Sequence, residues 1–168
     1  MPSRLVSALT RLLRPARRSA VPADSDPGRS GATATVQVTP PGRRGVVMTY
    51  APDADGAPDA GEIVWTWVPY EERDGRGKDR PVLVIARQSR DRVYAVRLTS
   101  TPHPGSADHV ALGPGEWDSR RRPSWVDLHQ LYSVHDRGMR REASALDAVR
   151  FARVSDALQQ RYGWRTGR

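Results

Sequence analysis

The 168-residue sequence contains no cysteine, one phenylalanine and, among its 27 basic residues, a single lysine, Lys78. Without cysteine there is no disulfide, no thiolate-ligated zinc and no thiol nucleophile. With one lysine, the other 26 basic residues are arginine, a bias that GC-rich coding or a demand for guanidinium chemistry would both produce. Long apolar runs are missing too. Nothing approaches the roughly 18 residues of a membrane span, and the apolar stretch near residue 10 is interrupted by Arg11, so it lacks the continuous core of a signal peptide. The default expectation is therefore the cytoplasm. A Gly-rich phosphate loop, a His-Glu-x-x-His helix and a Gly-x-Ser-x-Gly elbow are likewise absent, which disfavours the common metal and nucleotide enzymes. No cofactor or metal is expected.

The charge present is lopsided: 27 Lys plus Arg against 19 Asp plus Glu, a formal net charge of +8. Such an excess suits a polyanion, nucleic acid above all, because phosphate contacts supply affinity independent of sequence. Aromatic residues are unevenly spread. Residues 1–60 hold Tyr50 alone, while residues 61–168 hold all five tryptophans. The composition therefore predicts a basic N-terminal extension and linker over 1–60, disordered across 21–60 for want of apolar surface to bury. One folded domain is predicted over 61–168. Within the extension, Leu5, Val6, Leu9, Leu12 and Leu13 share one helical face among arginines. That stretch reads as a basic amphipathic helix for a membrane surface or nucleic acid, or as a frayed tail.

In the domain, β-branched and aromatic runs predict strands at 62–69, 82–86, 93–99, 108–112 and 124–134. Tyr70 to Asp79 reads as a polar loop, and Asp136-Arg137-Gly138 as a turn. Apolar spacing from Leu146 to Tyr162 predicts a helix, stopped at Gly163. Short strands followed by one helix suggest a mainly β fold, a small and partly open antiparallel barrel with a C-terminal helix packed on it.

Candidate chemistry centres on Arg80. It precedes Pro81 at the mouth of the apolar strand, where proline holds its neighbour extended, so a guanidinium fork there is well placed for a phosphate. If residues 87–92 form the hairpin turn, Thr99 lies opposite Arg80, with Ser100 beside it. A salt bridge from Arg80 to Asp79 or Glu72, and a Thr chosen for strand propensity, would explain the same residues without function. The four histidines, His103, His109, His129 and His135, could serve as acid and base in a metal-free ribonuclease, although isolated histidines are more often bystanders. Asp127 and His129, two apart on one strand, share a face, where a structural hydrogen bond is the simpler reading. Trp117, Trp125 and the run Arg120-Arg121-Arg122 are candidates for stacking and phosphate contacts with a single strand, or a solvated loop.

Gly61-Glu62-Ile63-Val64-Trp65, Pro69-Tyr70, Gly77-Lys78-Asp79-Arg80-Pro81-Val82-Leu83-Val84-Ile85, Leu98-Thr99-Ser100 and Ser124-Trp125-Val126-Asp127-Leu128-His129-Gln130-Leu131 together resemble the PemK/MazF family of toxin endoribonucleases, over roughly 61–164. The resemblance implies an SH3-like barrel of the CcdB/MazF type, forming a homodimer. It also implies metal-free cleavage of single-stranded RNA by the substrate's own 2′-hydroxyl, leaving a cyclic phosphate and a 5′-hydroxyl. By the same resemblance Arg80 and Thr99 match the catalytic Arg and Thr, and Ser100 is a neighbour that assists. Arg76, Lys78, Trp117, Arg120, Arg121 and Arg122 are expected to touch RNA. The implied partners are single-stranded RNA and a cognate antitoxin that lays an acidic segment over the groove, with DNA contact during autoregulation. Many family members carry Glu-Gln before the Arg, where this chain has Gly75-Arg76, leaving Glu71, Glu72 or Asp74 as substitute carboxylates. A non-catalytic nucleic-acid- or protein-binding module on the same barrel is the rival reading. A gyrase poison like CcdB finds no supporting feature.

Overall fold

A computed structural model of the chain describes residues 26–53, 57–72 and 74–167. The amphipathic stretch at residues 5–13 lies outside them. Nine strands and one helix follow in order among the described residues: β1 (Val36–Val38), β2 (Val47–Met48), β3 (Glu62–Pro69), β4 (Gly77–Arg87), β5 (Arg92–Thr99), β6 (His109–Gly113), β7 (Ser124–His135), β8 (Met139–Ala145), α1 (Ala148–Tyr162) and β9 (Arg165–Thr166). Seven strands form one antiparallel sheet in the order β1-β7-β5-β4-β3-β8, with β6 also on β7. The sheet curls in the barrel-like way expected but does not close on itself. β2 and β9 make a separate parallel pair.

Strand periodicity explains the two-sided core. On β3–β5, Ile63, Leu83, Ile85, Val96 and Leu98 face one way, joining Leu146, Phe151, Val154 and Leu158 from the segment of α1. The alternate residues Val64, Val68, Val82, Val84, Val93 and Ala95 pack with Tyr132, Val134 and Met139, as period two requires. The helix begins where the Asp147 side chain accepts a hydrogen bond from the Arg150 N–H, and it ends at Gly163 with φ 69°, a left-handed cap that glycine adopts at little cost. The sequence missed β8 and β9, and it started β4 five residues late. Gly77 to Pro81 pair with Pro69 to Trp65 although they are polar, because the ladder uses backbone groups that composition does not report.

The disordered extension expected over 21–60 is corrected for residues 26–53. β1 pairs with the C-terminal half of β7 (Val36 with Ser133, Val38 with Leu131). Val46 and Met48 are buried in the core, and the Tyr50 hydroxyl donates to the Leu146 carbonyl at 2.8 Å. Gly28, at φ 82°, sits so close that a Cβ would lie 2.4 Å from the Gly138 carbonyl and Thr66 Oγ1. The physical reason is cooperation. This strap is too poor in apolar groups to fold by itself, but a few well-placed ones dock on a core that the remaining chain supplies.

Candidate active-site cleft

Residues 82–84 of β4 pair with 97–95 of β5 in the register that places 80 opposite 99, while a bulge near Ala86 shifts the turn end by one residue. Beyond Val82 the two strands take other partners. Arg80 pairs with Thr66 of β3, and Thr99 pairs with Trp125 of β7. Divergence of two strands at one end opens a gap between them. A second irregularity widens it: β7 pairs Leu131 with Val96 but Val126 with Leu98, so residues 127–130 leave the β5 ladder. Bulges of this kind re-aim side chains.

The resulting cleft encloses about 480 Å³ and is lined by Glu71, Arg80, Arg97, Thr99, Thr101, His103, Asp108, His109, Asp127, His129 and Gln130. Arg80 and Thr99 thus share one cleft. Arg80 is half-buried, and its Nε is buried without a hydrogen-bond partner. The alternative reading, a salt bridge from Arg80 to Asp79 or Glu72, is not met among the described residues, where Asp79 pairs with Arg140. Among the described residues this Nε finds no acceptor, and an unanswered buried N–H costs about 1–3 kcal/mol. Thr99 Oγ1 accepts a hydrogen bond from the Thr101 N–H at 3.1 Å, which leaves its hydroxyl hydrogen to donate elsewhere.

Arg97 is the opposite case. Its Nε and Nη2 grip Asp127 Oδ2 at 2.9 and 2.8 Å, and Nη2 also lies 3.6 Å from Glu71. The other Asp127 oxygen accepts the His129 backbone N–H at 2.8 Å, so Asp127 is structural here, as the simpler reading held, although the donor is backbone and not imidazole. Gln130 bridges the floor: its amide donates to Glu71 and its carbonyl oxygen accepts from the Tyr132 hydroxyl at 2.6 Å. Burial pushes the Tyr132 phenol up to about 12, so it stays a neutral donor.

Three of the four histidines line the cleft. His103 and His109 stack with ring centroids 3.6 Å apart and planes within 5°. Burial, and next the facing His103, hold His109 below the ordinary imidazole range. Sequence separation hid the convergence of these three of the four candidate histidines, and it hid Thr101 and Arg97 altogether. The one available signal was Arg97 standing two residues before Thr99 on the same strand face.

Other expected contacts lie elsewhere. Trp117 is corrected: it is buried, with its indole N–H on Ser124 Oγ at 3.1 Å, and it belongs to the core instead of offering a free stacking face. Ser100 is exposed and lines a small neighbouring hollow with Trp65, Pro81, Thr99 and Arg122. Arg122 pairs with Asp118 at 2.7 Å and Arg121 with Glu116 at 3.7 Å. The Arg120 N–H also donates to Asp118 at 2.9 Å, so these arginines fold their own loop. Arg76 is exposed and paired with Asp74 at 2.6 Å, and Lys78 is exposed on β4. Neither lines the cleft.

A family model described as a PemK-like, MazF-like toxin of type II toxin–antitoxin systems matches residues 59–162. An endoribonuclease in complex with its cognate antitoxin from mycobacterial species superposes at TM-score 0.50 with 20% identity, covering 64% of this chain and 96% of that one, and this likeness carries the fold. MazF from Deinococcus radiodurans (TM-score 0.46, 26% identity, 64% and 97% covered) and the Mycobacterium tuberculosis toxin MazF-mt6 (0.43, 19%, 60% and 97%) are also similar. No curated protein sequence matches the chain. The strap at 26–53 precedes the matched region.

Proposed function

This chain belongs to the PemK-like, MazF-like toxins of type II toxin–antitoxin systems, and from that premise we propose that it is a sequence-selective endoribonuclease that cuts single-stranded RNA without a metal. The carrying observation is the buried, unpartnered Arg80 Nε in one cleft with Thr99. A phosphodiester seated there supplies the missing acceptor. The substrate's 2′-hydroxyl attacks the adjacent phosphorus, and Arg80 neutralises the charge that builds on the phosphorane oxygens. A fixed donor of this kind stabilises the transition state without reorganising. Thr99 donates its free hydroxyl hydrogen to a phosphate oxygen, and Ser100 stands at the exit beside Arg122. Arg97 holds the wall in place by fixing Asp127 and Glu71.

RNA flanking the scissile bond runs past the hollow at Ser100 and Arg122, with Arg76, Lys78, Arg120 and Arg121 as outer phosphate contacts in solution. The natural partners are a cognate antitoxin that covers this basic cleft with an acidic segment and a second copy of the chain. Among the described residues no helix is long and apolar enough to cross a membrane.

The test incubates the full chain with a long single-stranded RNA in EDTA and maps the 5′ ends. Discrete cuts bearing 5′-hydroxyls, lost in Arg80→Ala, are expected. Intact RNA that is nevertheless bound, with affinity falling steeply in salt, would leave only the non-catalytic binding module.

A further inference from the structure

Arg80 and Thr99 between them stabilise charge, but neither removes the proton from the attacking hydroxyl. We propose that His109, stacked on His103 in the same cleft, is the proton acceptor of the cleavage step. The inference rests on the endoribonuclease reading and adds a residue to it.

The other bases in the cleft are engaged or loosely held. Asp127 has both oxygens engaged, by Arg97 and by the His129 N–H. Glu71 meets the Gln130 amide and Arg97 through one oxygen, Oε1, on a side chain that is 65% exposed. Asp108 is bound by Arg161, whose guanidinium holds its carboxyl below the usual range, making it a weak base. His129 is exposed, and among the described residues no hydrogen bond fixes its ring.

His109 is positioned where these are not. Its Nδ1 lies 2.9 Å from Ser106 Oγ, and the same Oγ accepts the Asp108 N–H at 3.2 Å. In the tautomer that the proposal requires, Nδ1–H donates to this Oγ and the Nε2 lone pair is open, with no hydrogen bond to Nε2 among the described residues. The loop that presents the pair is built for it. Pro102 and Pro104 flank His103 and restrict its backbone, Thr101 is tied to Thr99, and the Ser106 N–H returns to the His103 carbonyl at 3.3 Å. Two imidazolium rings stacked at 3.6 Å would repel, so the pair keeps a neutral ring at neutral pH.

The groups facing His109 are His103 and Asp108 from the loop, Arg97 from β5, Asp127 and His129 from β7, and Arg153 and Asp156 from α1 on its far side. Burial favours the neutral ring, His103 and Arg97 add to it by repulsion, and Asp127 and Asp108 oppose them. In the reaction the 2′-oxygen bonds to phosphorus and its proton passes to His109 Nε2. The P–O5′ bond breaks, the departing oxygen takes a proton from water, and the imidazolium returns its proton to solvent.

The experiment measures kcat and KM against pH for the full chain on single-stranded RNA. The wild type should lose kcat as pH falls through the depressed pKa of His109, since the base is then protonated. His109→Gln should lower kcat by roughly a hundredfold with KM little changed, and erase that acid limb. His103→Gln removes the facing ring and should move the limb to higher pH, a readout that a purely structural role would not produce and that stands even if the His109 variant fails to fold. A His109→Gln protein with wild-type kcat and an intact acid limb, or a limb unmoved in His103→Gln, overturns the proposal while leaving the endoribonuclease reading standing. A wild-type chain that leaves RNA intact sinks both.

Discussion

The N-terminal strap and the cleft hang on the same strand, and they treat their polar groups in opposite ways. β1 occupies the C-terminal half of β7 and β6 its N-terminal half. In the strap the polar groups are answered from within: Thr35 and Thr66 share a buried hydrogen bond at 2.6 Å, Thr66 reaches the Gly138 carbonyl at 2.6 Å, and Arg92 closes on the Ala32 and Ala34 carbonyls at 2.9 and 3.1 Å. At the cleft, which begins at Gln130 on the same strand, Arg80 Nε is buried with no partner among the described residues, and His109 keeps one nitrogen open. Ser144 Oγ on β8, away from the cleft, is the other buried atom without a partner among the described residues, so it is the position of Arg80 in the cleft, and not the missing partner alone, that sets it apart. The contrast even divides the cleft's own arginines, since Arg97 is fully engaged and Arg80 is not.

If that division is right, the two regions respond differently to substitution. The largest expected effect is Arg80→Ala, which should slow RNA cleavage by at least a hundredfold while the melting temperature stays put or rises, because a buried unpaired donor is removed. A melting temperature that collapses would place Arg80 with the structural set. Next is Arg97→Met, which strands Asp127, whose side chain is 5% exposed, as a buried charge without its cation. A loss near 3 kcal/mol in urea unfolding is expected, so here stability falls along with activity. Met48→Ala in the strap should cost about 2–4 kcal/mol in the same assay and leave the pH profile of cleavage unchanged. The smallest is Tyr50→Phe, about 1 kcal/mol for one hydrogen bond to Leu146. A neutral result there would show that ring packing on Phe151, 5.3 Å away, holds the strap without the hydroxyl.

The parts of the fold that follow from local pattern were readable in the sequence. The 62–69 strand, the C-terminal helix and the Gly163 stop all have a periodicity or a cap to announce them. The register of residues 82–84 on 95–97 also matches the hairpin expected, although the turn end lies one residue away from the 87–92 pairing and a bulge restores the count. What could not be read depends on distant partners. Val46, Met48 and Tyr50 look like scattered apolar residues in a Pro-rich stretch until the core they dock on exists, and β8 has no alternation strong enough to declare itself. The cleft suffered most. Its histidines come from three separate positions, and they meet only because β7 abandons β5 between residues 127 and 130, a bulge that no short-range pattern foretells.

The parallel pairing of Val47–Met48 with Arg165–Thr166 sets an order in time. Loop-closure entropy makes such distant contacts late ones, and during synthesis β2 has no partner until residue 166 has emerged. The strands bearing Arg80, Thr99 and His109 are all made before that point. The nascent chain therefore carries its complete cleft set while Val47–Met48 still lack this ladder, and the pair forms only once residues 165–166 reach it. Residues 165–166 thus seat the last stretch of a strap whose other anchors, the β1 ladder on β7 and the Tyr50 hydroxyl on Leu146, come from segments made earlier.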